Sequence, residues 1–253
     1  MMNTVEVITL VTGGNRGMGL EIVKELSQKG QHVIMGSRQL ENGRRAIEQL
    51  AITSGKVDLV QLDVTDPASV TRAAQTIATK YGYLTILINN AGAVFDYRQS
   101  AATVTSENLH LDFEINYFGL VDVSQKMLPL LKKSPQAKII NISSMMGSKT
   151  AALDPQSSVY KAVAVGYQSA KAAANMYTVQ LAKEMLREKL PITVNAIDPG
   201  MVATEFGSGD PELAKKMGAM PVEQGVARTV EMATDANSTD TATFTNTTGT
   251  VGW

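Results

Sequence analysis

Apolar residues fall in short β-branched runs, separated by longer stretches whose apolar positions recur at helical spacing. The runs are "EVITLVTG", "HVIMGS", "VDLVQLDV", "LTILINNAG", "AKIINISS" and "ITVNAIDPG". They are apolar almost without interruption, as parallel strands covered on both faces must be. Between the first two lies "GLEIVKELSQKG", with Leu20, Val23 and Leu26 as a helical stripe and Gly30 placed to end the helix. After the third comes "DPASVTRAAQTIATKYG", where Asp66 can cap and Pro67 suits the first helical position. This alternation predicts an α/β chain with a doubly wound, mostly parallel sheet and helices on both faces. No linker rich in Pro, Gly or Ser divides it, so residues 1–253 read as one domain. Near the end, "TATFT" predicts a last short strand, and Trp253 argues for an ordered terminus.

Composition narrows the function. Of 253 residues, 44% are hydrophobic and 19% charged, which fits a folded globular chain. A net charge of −1 offers no basic patch for a nucleic acid or an anionic membrane, so neither is expected as a partner. With no cysteine, disulfides, thiolate metal sites and cysteine nucleophiles are excluded. The two histidines, His32 and His110, are far apart, and no G-x-S-x-G elbow occurs, so no metal site and no Ser-His-Asp hydrolase is expected. The N-terminus lacks a basic flank before its apolar run, and no apolar run is long enough to span a bilayer. A cytoplasmic protein is the default expectation.

The first strand runs directly into "VTGGNRGMG", which opens a helix. Backbone N–H groups and the helix dipole favour an anion at such a place. Gly13, Gly17 and Gly19 would let the backbone approach a pyrophosphate, although the same stretch also fits a tight turn that holds no ligand. The second strand ends in Ser37 and Arg38, where an NAD-binding chain would carry a carboxylate. With Arg16 in the loop, two guanidinium groups can meet a 2′-phosphate, unless both are merely solvated surface charges. Together they favour NADPH over NADH.

Tyr167 and Lys171 of "YQSAK" are four apart in a helical segment and share a face. A free phenol titrates at about pH 10, and a neighbouring ammonium would lower that, making it a usable proton donor. "KIINISS" brings Ser143 and Ser144 to the same sheet edge, where a hydroxyl can bond a carbonyl oxygen or cap a helix. Asn116 of "NYFG" stands inside a long helical stretch, and "NNAG" and "DPG" end two more strands.

In this order, "TGGNRGMG", "NNAG", "NYFG", "NISS", "YQSAK" and "DPGMVATE" resemble the short-chain dehydrogenase/reductase family, with its Rossmann fold, from about Val5 to Glu205. The "TGGN" variant and the terminal tryptophan make the chain most similar to NADPH-dependent carbonyl reductases. The resemblance implies a catalytic set of Asn116, Ser144, Tyr167 and Lys171. Tyr167 would be the general acid, Lys171 would lower its pKa and hold the nicotinamide ribose, Ser144 would orient the carbonyl, and Asn116 would anchor a water. For NADPH/NADP it implies Gly13, Asn15, Arg16, Gly17 and Met18 at the phosphates, and Asp63 and Val64 beside the adenine. Asn90, Ala91 and Gly92 would pass beside the ribose, and Pro199, Gly200, Val202 and Thr204 would hold the carboxamide end. The substrate would be a small-molecule aldehyde, ketone or quinone, or the corresponding alcohol, and the chain a homo-oligomer, dimer or tetramer. Other readings are a 3-oxoacyl reductase serving acyl-carrier substrates and a binding protein that senses NADPH without chemistry.

Two departures stand out. Between Ser144 and Tyr167 lie 22 residues, more than the family's usual spacing, so residues 145–166 are expected to form an enlarged active-site loop. The common glycine-rich C-terminal motif is replaced by "TFTNTTGTVGW". Residues 201–221 are expected to form a substrate-binding loop, and Phe95, Met145, Met146, Met201 and Phe206 an apolar pocket lining suited to an irregular ligand.

Overall fold

The computed structural model describes residues 6–50, 55–207 and 209–253; Val5, where the family resemblance begins, lies outside them, as does Ser208 within the expected 201–221 loop. The six apolar runs become strands β1 (Ile8–Val11), β2 (His32–Ser37), β3 (Lys56–Gln61), β4 (Ile86–Asn89), β5 (Ala137–Ile142) and β6 (Ile192–Ile197). The "TATFT" segment supplies β7 (Phe244–Asn246), which turns back into a short β8 (Gly249–Thr250). All lie in one sheet of order β3-β2-β1-β4-β5-β6-β7-β8. Every pairing is parallel except the last.

The continuous apolar runs serve two faces at once. Leu10, Ile34, Leu87 and Ile139 pack beneath α3 (Pro67–Tyr81), α5 (Gly119–Leu131) and α7 (Val165–Arg187), through Ile77, Met127 and Met185 among others. Their strand neighbours Val11, Met35, Ile88 and Ile140 pack on the opposite face beneath α1 (Gly17–Gln28) and α9 (Val222–Thr234), through Val23, Leu26 and Val230. Successive side chains leave a strand on opposite sides, so neither face can be polar. In α1 the fully buried stripe is Ile22, Val23 and Leu26, with Leu20 only partly covered.

Helix ends follow their local chemistry. The Asp66 carboxylate accepts the N–H of Ala68 at 2.9 Å, Pro67 begins α3, and Gly82 ends it in the left-handed region at φ 82°. The remaining helices are α2 (Leu40–Gln49), α4 (Ser106–Phe113), α6 (Lys149–Leu153) and α8 (Pro211–Lys216). Among the described residues no helix is long and apolar enough to cross a membrane.

Strand order reverses between β1 and β4, which opens a crevice at their carboxyl ends. A buried polar ladder fixes that edge. Asn89 on β4 donates to Asn141 on β5 at 2.8 Å and to Ser124 on α5 at 2.9 Å. Asn141 in turn donates to Thr178 on α7 at 2.9 Å. These bonds fasten α5 and α7 to the strand ends that flank the crevice.

Candidate active site

The glycine loop crosses the crevice between β1 and α1. Gly13 and Gly17 stand at φ 62° and 51°, where a side chain is strained. Gly19 answers a different demand. A Cβ there would lie 2.2 Å from the Gly13 carbonyl oxygen and 2.6 Å from Asn90 Nδ2. The loop is braced from β4: Thr12 Oγ1 accepts the N–H groups of Asn90 and Ala91 at 3.0 and 2.9 Å. The Asn90 amide donates to the Thr12 carbonyl at 2.9 Å, so this side chain shapes the loop and does not reach out from it.

Arg16 precedes α1 in extended conformation, and no side chain caps that helix and no acidic residue lies in its first turn. Asn15 and Met18 flank it half-buried, and Arg16 itself is exposed. Arg38 is likewise exposed, whereas Ser37 is buried with its hydroxyl donating to the Gln39 carbonyl at 2.8 Å. None of the ion pairs among the described residues involves Arg16 or Arg38. Asp63 holds the N–H and hydroxyl of Thr65 at 3.0 and 2.8 Å, and Val64 is buried against Gly119. The residues present therefore fit a phosphate-bearing dinucleotide: a glycine cradle in which position 19 has no room for a Cβ, an open helix N-terminus and two exposed guanidinium groups.

Across the crevice, α7 presents Tyr167 and Lys171, both buried. Lys171 donates to the Ile142 carbonyl at 2.8 Å and lies 5.7 Å from the centre of the Tyr167 ring. The two serines after β5 part company. Ser143 donates to Asn175 on α7 at 2.5 Å, while Ser144 hydrogen-bonds the Tyr167 hydroxyl and accepts the N–H of Met146 at 3.2 Å. Gly92 sits between the groups: a Cβ on it would be 2.9 Å from Asn116 Oδ1 and 3.7 Å from Lys171 Nζ.

The expectation that Lys171 pulls the phenol down does not hold here. Burial raises the Tyr167 pKa, the Ser144 hydrogen bond opposes that rise, and Asp198 and Asp112 add to it. Burial also lowers Lys171 to about 8. Spacing brought the two groups onto one face, but the low dielectric decides the direction, and the phenol keeps its proton.

Asn116 lies in a π-helical turn, Glu114–Phe118, set between α4 and α5. Its amide donates to the carbonyls of Ala93 at 2.7 Å and Asp112 at 2.8 Å. Such a widened turn opens the helical ladder and often marks a functional site.

The two expected loops differ in kind. Residues 201–221 close on themselves, with Met220 N–H donating to the Met201 carbonyl and Ala203 N–H to the Met220 carbonyl, each at 2.9 Å. Pro199 and Gly200 lead into this loop, Val202 packs on Gly225, and the buried Thr204 meets Gly17 of the glycine loop. Beyond it, the Phe206 ring lies 5.8 Å from that of Tyr167. Residues 145–166 pack instead against the C-terminus. Thr150 Oγ1 donates to the Trp253 carbonyl at 2.9 Å, and Trp253 stacks on Phe244 at 5.4 Å. Met145, expected in the pocket, belongs to the cluster of Ala196, Phe244 and Val251, while Phe95, Met201 and Phe206 remain exposed and Met146 half-buried.

Sequence reasoning missed two residues, Asp96 and Asp112. Both are fully buried beside the start of α7. No motif carries them, and only an acidic residue recurring near "NNAG" and "NYFG" could have drawn attention to them.

The arrangement has counterparts. A neomenthol dehydrogenase of Arabidopsis thaliana is 30% identical, over 88% of this chain and 90% of that protein. The crystal structure of an NADPH-bound carbonyl reductase from chicken fatty liver superposes with a TM-score of 0.82 at 28% identity, covering 98% of this chain and all of the other. Salutaridine reductase from Papaver somniferum superposes with a TM-score of 0.78 at 27% identity, over 96% of this chain and 100% of that one. The sequence profile described as short chain dehydrogenase matches residues 7–212, from the first strand through the loop beyond the sixth. The chain thus belongs to the short-chain dehydrogenases, oxidoreductases of carbonyl and alcohol substrates that use NAD(P).

Proposed function

We propose that the chain is an NADPH-dependent reductase of the carbonyl-reductase kind, interconverting an aldehyde, ketone or quinone and its alcohol. The observation that carries this is Tyr167, buried on α7 with Lys171 Nζ 5.7 Å from the centre of its ring and Ser144 beside its hydroxyl. Bound in that cradle, the cofactor supplies a hydride. Tyr167 gives its proton to the carbonyl oxygen as charge develops there. Ser144 holds that oxygen in line with the phenol. Lys171, anchored on the Ile142 carbonyl, would hold the ribose side of the cofactor. Both amide hydrogens of Asn116 are engaged, so its backbone carbonyl is the group that would anchor a proton-resupplying water. Ala91 and Gly92 would pass beside the ribose, and Pro199, Gly200, Val202 and Thr204 would hold the carboxamide end.

The test is NADPH consumption against a panel of aldehydes, ketones and quinones, with NADH alongside. Turnover establishes the reading. NADPH binding with no turnover of any carbonyl favours the sensor instead.

Preference for the 2′-phosphate rests on Arg16 and Arg38, exposed and outside the ion pairs of the described residues. A hydrogen bond to a charged group contributes about 1.5–3 kcal/mol, so Arg38→Asp should lower kcat/KM with NADPH by roughly 10- to 100-fold and leave NADH nearly untouched. An unchanged NADPH-to-NADH ratio would remove Arg38 from the cofactor site.

A homo-oligomer goes with this reading. Leu111, Phe118 and Met176 are exposed on α4, the π turn and α7, elements that pack together. Sedimentation should give a dimer or tetramer, and Phe118→Lys should shift it toward monomer; a wild-type monomer removes this part of the proposal.

A further inference from the structure

Two aspartates sit where no water reaches them, beside the first turn of α7. Asp96, in the segment after β4, and Asp112, on α4, are both 0% exposed. Asp96 accepts two backbone N–H groups of α7, from Gly166 at 2.5 Å and from Tyr167 at 3.4 Å. It does the work of a cap, since Ala164 at the N-cap has no side chain to offer. Asp112 accepts the N–H of Phe95 at 3.1 Å, and its carboxyl hydrogen-bonds that of Asp96. A Cβ on Gly166 would be 2.8 Å from Asp112 Oδ2 and 3.2 Å from Asp96 Oδ2, so the two oxygens converge on one point.

Two carboxylates cannot hydrogen-bond without a proton between them. The N-terminus of α7 turns two backbone N–H groups onto Asp96. Asp112 Oδ2 has no hydrogen-bond partner among the described residues, which leaves it as the oxygen placed to carry a shared proton. Among the described residues no ion pair involves Asp96 or Asp112. Lys171 on α7 bonds the Ile142 carbonyl, Arg98 lies over the Tyr97 ring, and His110 on α4 bonds the Ser106 carbonyl. Asp198, at the end of β6, bonds the N–H of Met145.

We propose that Asp96 and Asp112 are positioning residues for proton transfer, a carboxyl–carboxylate pair sharing one proton that holds Tyr167 and Asn116 in place. Asp96 grips the backbone of Tyr167 itself. The Asp112 carbonyl accepts the Asn116 amide, which also binds Ala93 in the segment that carries Asp96. The pair thus ties together the strand end, the π turn and the helix of the reacting groups. It rests on the reading of Tyr167 as proton donor.

Burial, with the Asp96 charge beside it, raises Asp112 to about 7. A carboxyl whose folded pKa is raised stabilises the fold below its unfolded pKa, and that contribution is lost as pH rises through the folded value. Above about pH 7, two buried anions would face each other, and the clamp should slacken.

Asp112→Asn tests this, because the amide donates to Asp96 at every pH. Thermal unfolding of the wild type should show a midpoint that falls as pH rises from about 4 to about 7 and levels off above, and the variant should lose that slope. Tyrosinate absorbance, taken as a difference against Tyr167→Phe, should show Tyr167 ionising at lower pH in Asp112→Asn, since one neighbouring anion is gone. With a carbonyl substrate, the fall of kcat around pH 7 that the slackened clamp causes in the wild type should be absent in Asp112→Asn. Asp96→Ala should lower kcat by roughly 10- to 100-fold with KM for NADPH little changed, as expected of misplacement and not of lost binding. Equal unfolding slopes in wild type and Asp112→Asn would overturn the shared proton. An unmoved Tyr167 titration, or full kcat in Asp96→Ala, would overturn the positioning role. The first two measurements need no substrate, so an absence of turnover would sink the reductase reading and leave the pair judged on its own terms.

Discussion

Tyr167→Phe is expected to lower kcat by about a thousandfold, because a positioned general acid contributes roughly 10²- to 10⁴-fold. That corresponds to about 4 kcal/mol of barrier. The substitution removes one oxygen and little else. The ring keeps its neighbour Phe206, 5.8 Å away, and Lys171 keeps its bond to the Ile142 carbonyl at 2.8 Å. The α7 backbone remains held by Asp96. KM for NADPH and the unfolding midpoint should therefore stay close to wild type. The loss should appear in single turnovers, which separate the chemical step from product release. A fall of less than tenfold would mean that the proton comes from elsewhere.

Gly19→Ala should be the most damaging single change in the cofactor cradle. The added methyl would stand 2.2 Å from the Gly13 carbonyl oxygen and 2.6 Å from Asn90 Nδ2. Neither can retreat cheaply. Gly13 is already at φ 62°, and Asn90 is bonded to the Thr12 carbonyl at 2.9 Å. The loop must open, at a cost of about 3 kcal/mol or more in stability. NADPH affinity should fall about a hundredfold, since a displacement of this size takes the backbone N–H groups out of reach of the phosphates. Gly30→Ala is the comparison. Its Cβ would meet nothing within 4 Å, but φ is 85°, so only the backbone penalty of about 1–2 kcal/mol applies and NADPH binding should survive. Fluorescence titration with NADPH and thermal unfolding check both. Binding by Gly19→Ala within threefold of wild type would show that the loop does not hold the cofactor.

Much of the fold is legible in the chain because its signals are local. A run such as "HVIMGS" is apolar at every position, and only a strand covered on both sides can use all of it. Asp66 followed by Pro67 specifies a helix start within two residues. Gly13 and Gly17 are placed by φ alone. Tyr167 and Lys171 share a face because the helical repeat puts them there. What the family motifs identify is of the same kind: short segments whose order along the chain becomes order along one sheet edge.

The rest depended on segments far apart in sequence. "NISS" offers two serines with equal claims, and the pleat sends one toward Asn175 and the other toward Tyr167. Met145 stands beside them in sequence, yet it packs, half-buried, against the C-terminal cluster of Phe244 and Val251. The spacing of tyrosine and lysine says nothing of how much water reaches them, so it could not show that burial would raise the phenol. Asp96 and Asp112 are 16 positions apart, and neither lies in a motif. Each is an ordinary surface residue by type, and only the meeting of a strand end, a helix and a second helix's first turn buries them against each other. By itself the sequence determined the strands, the caps, the glycine loop and which residues could react. The tertiary structure alone decided which serine meets the tyrosine, which charges lose their water and what holds the tyrosine still. Backbone periodicity is written in neighbouring residues, whereas dielectric and contact belong to whatever the fold brings together.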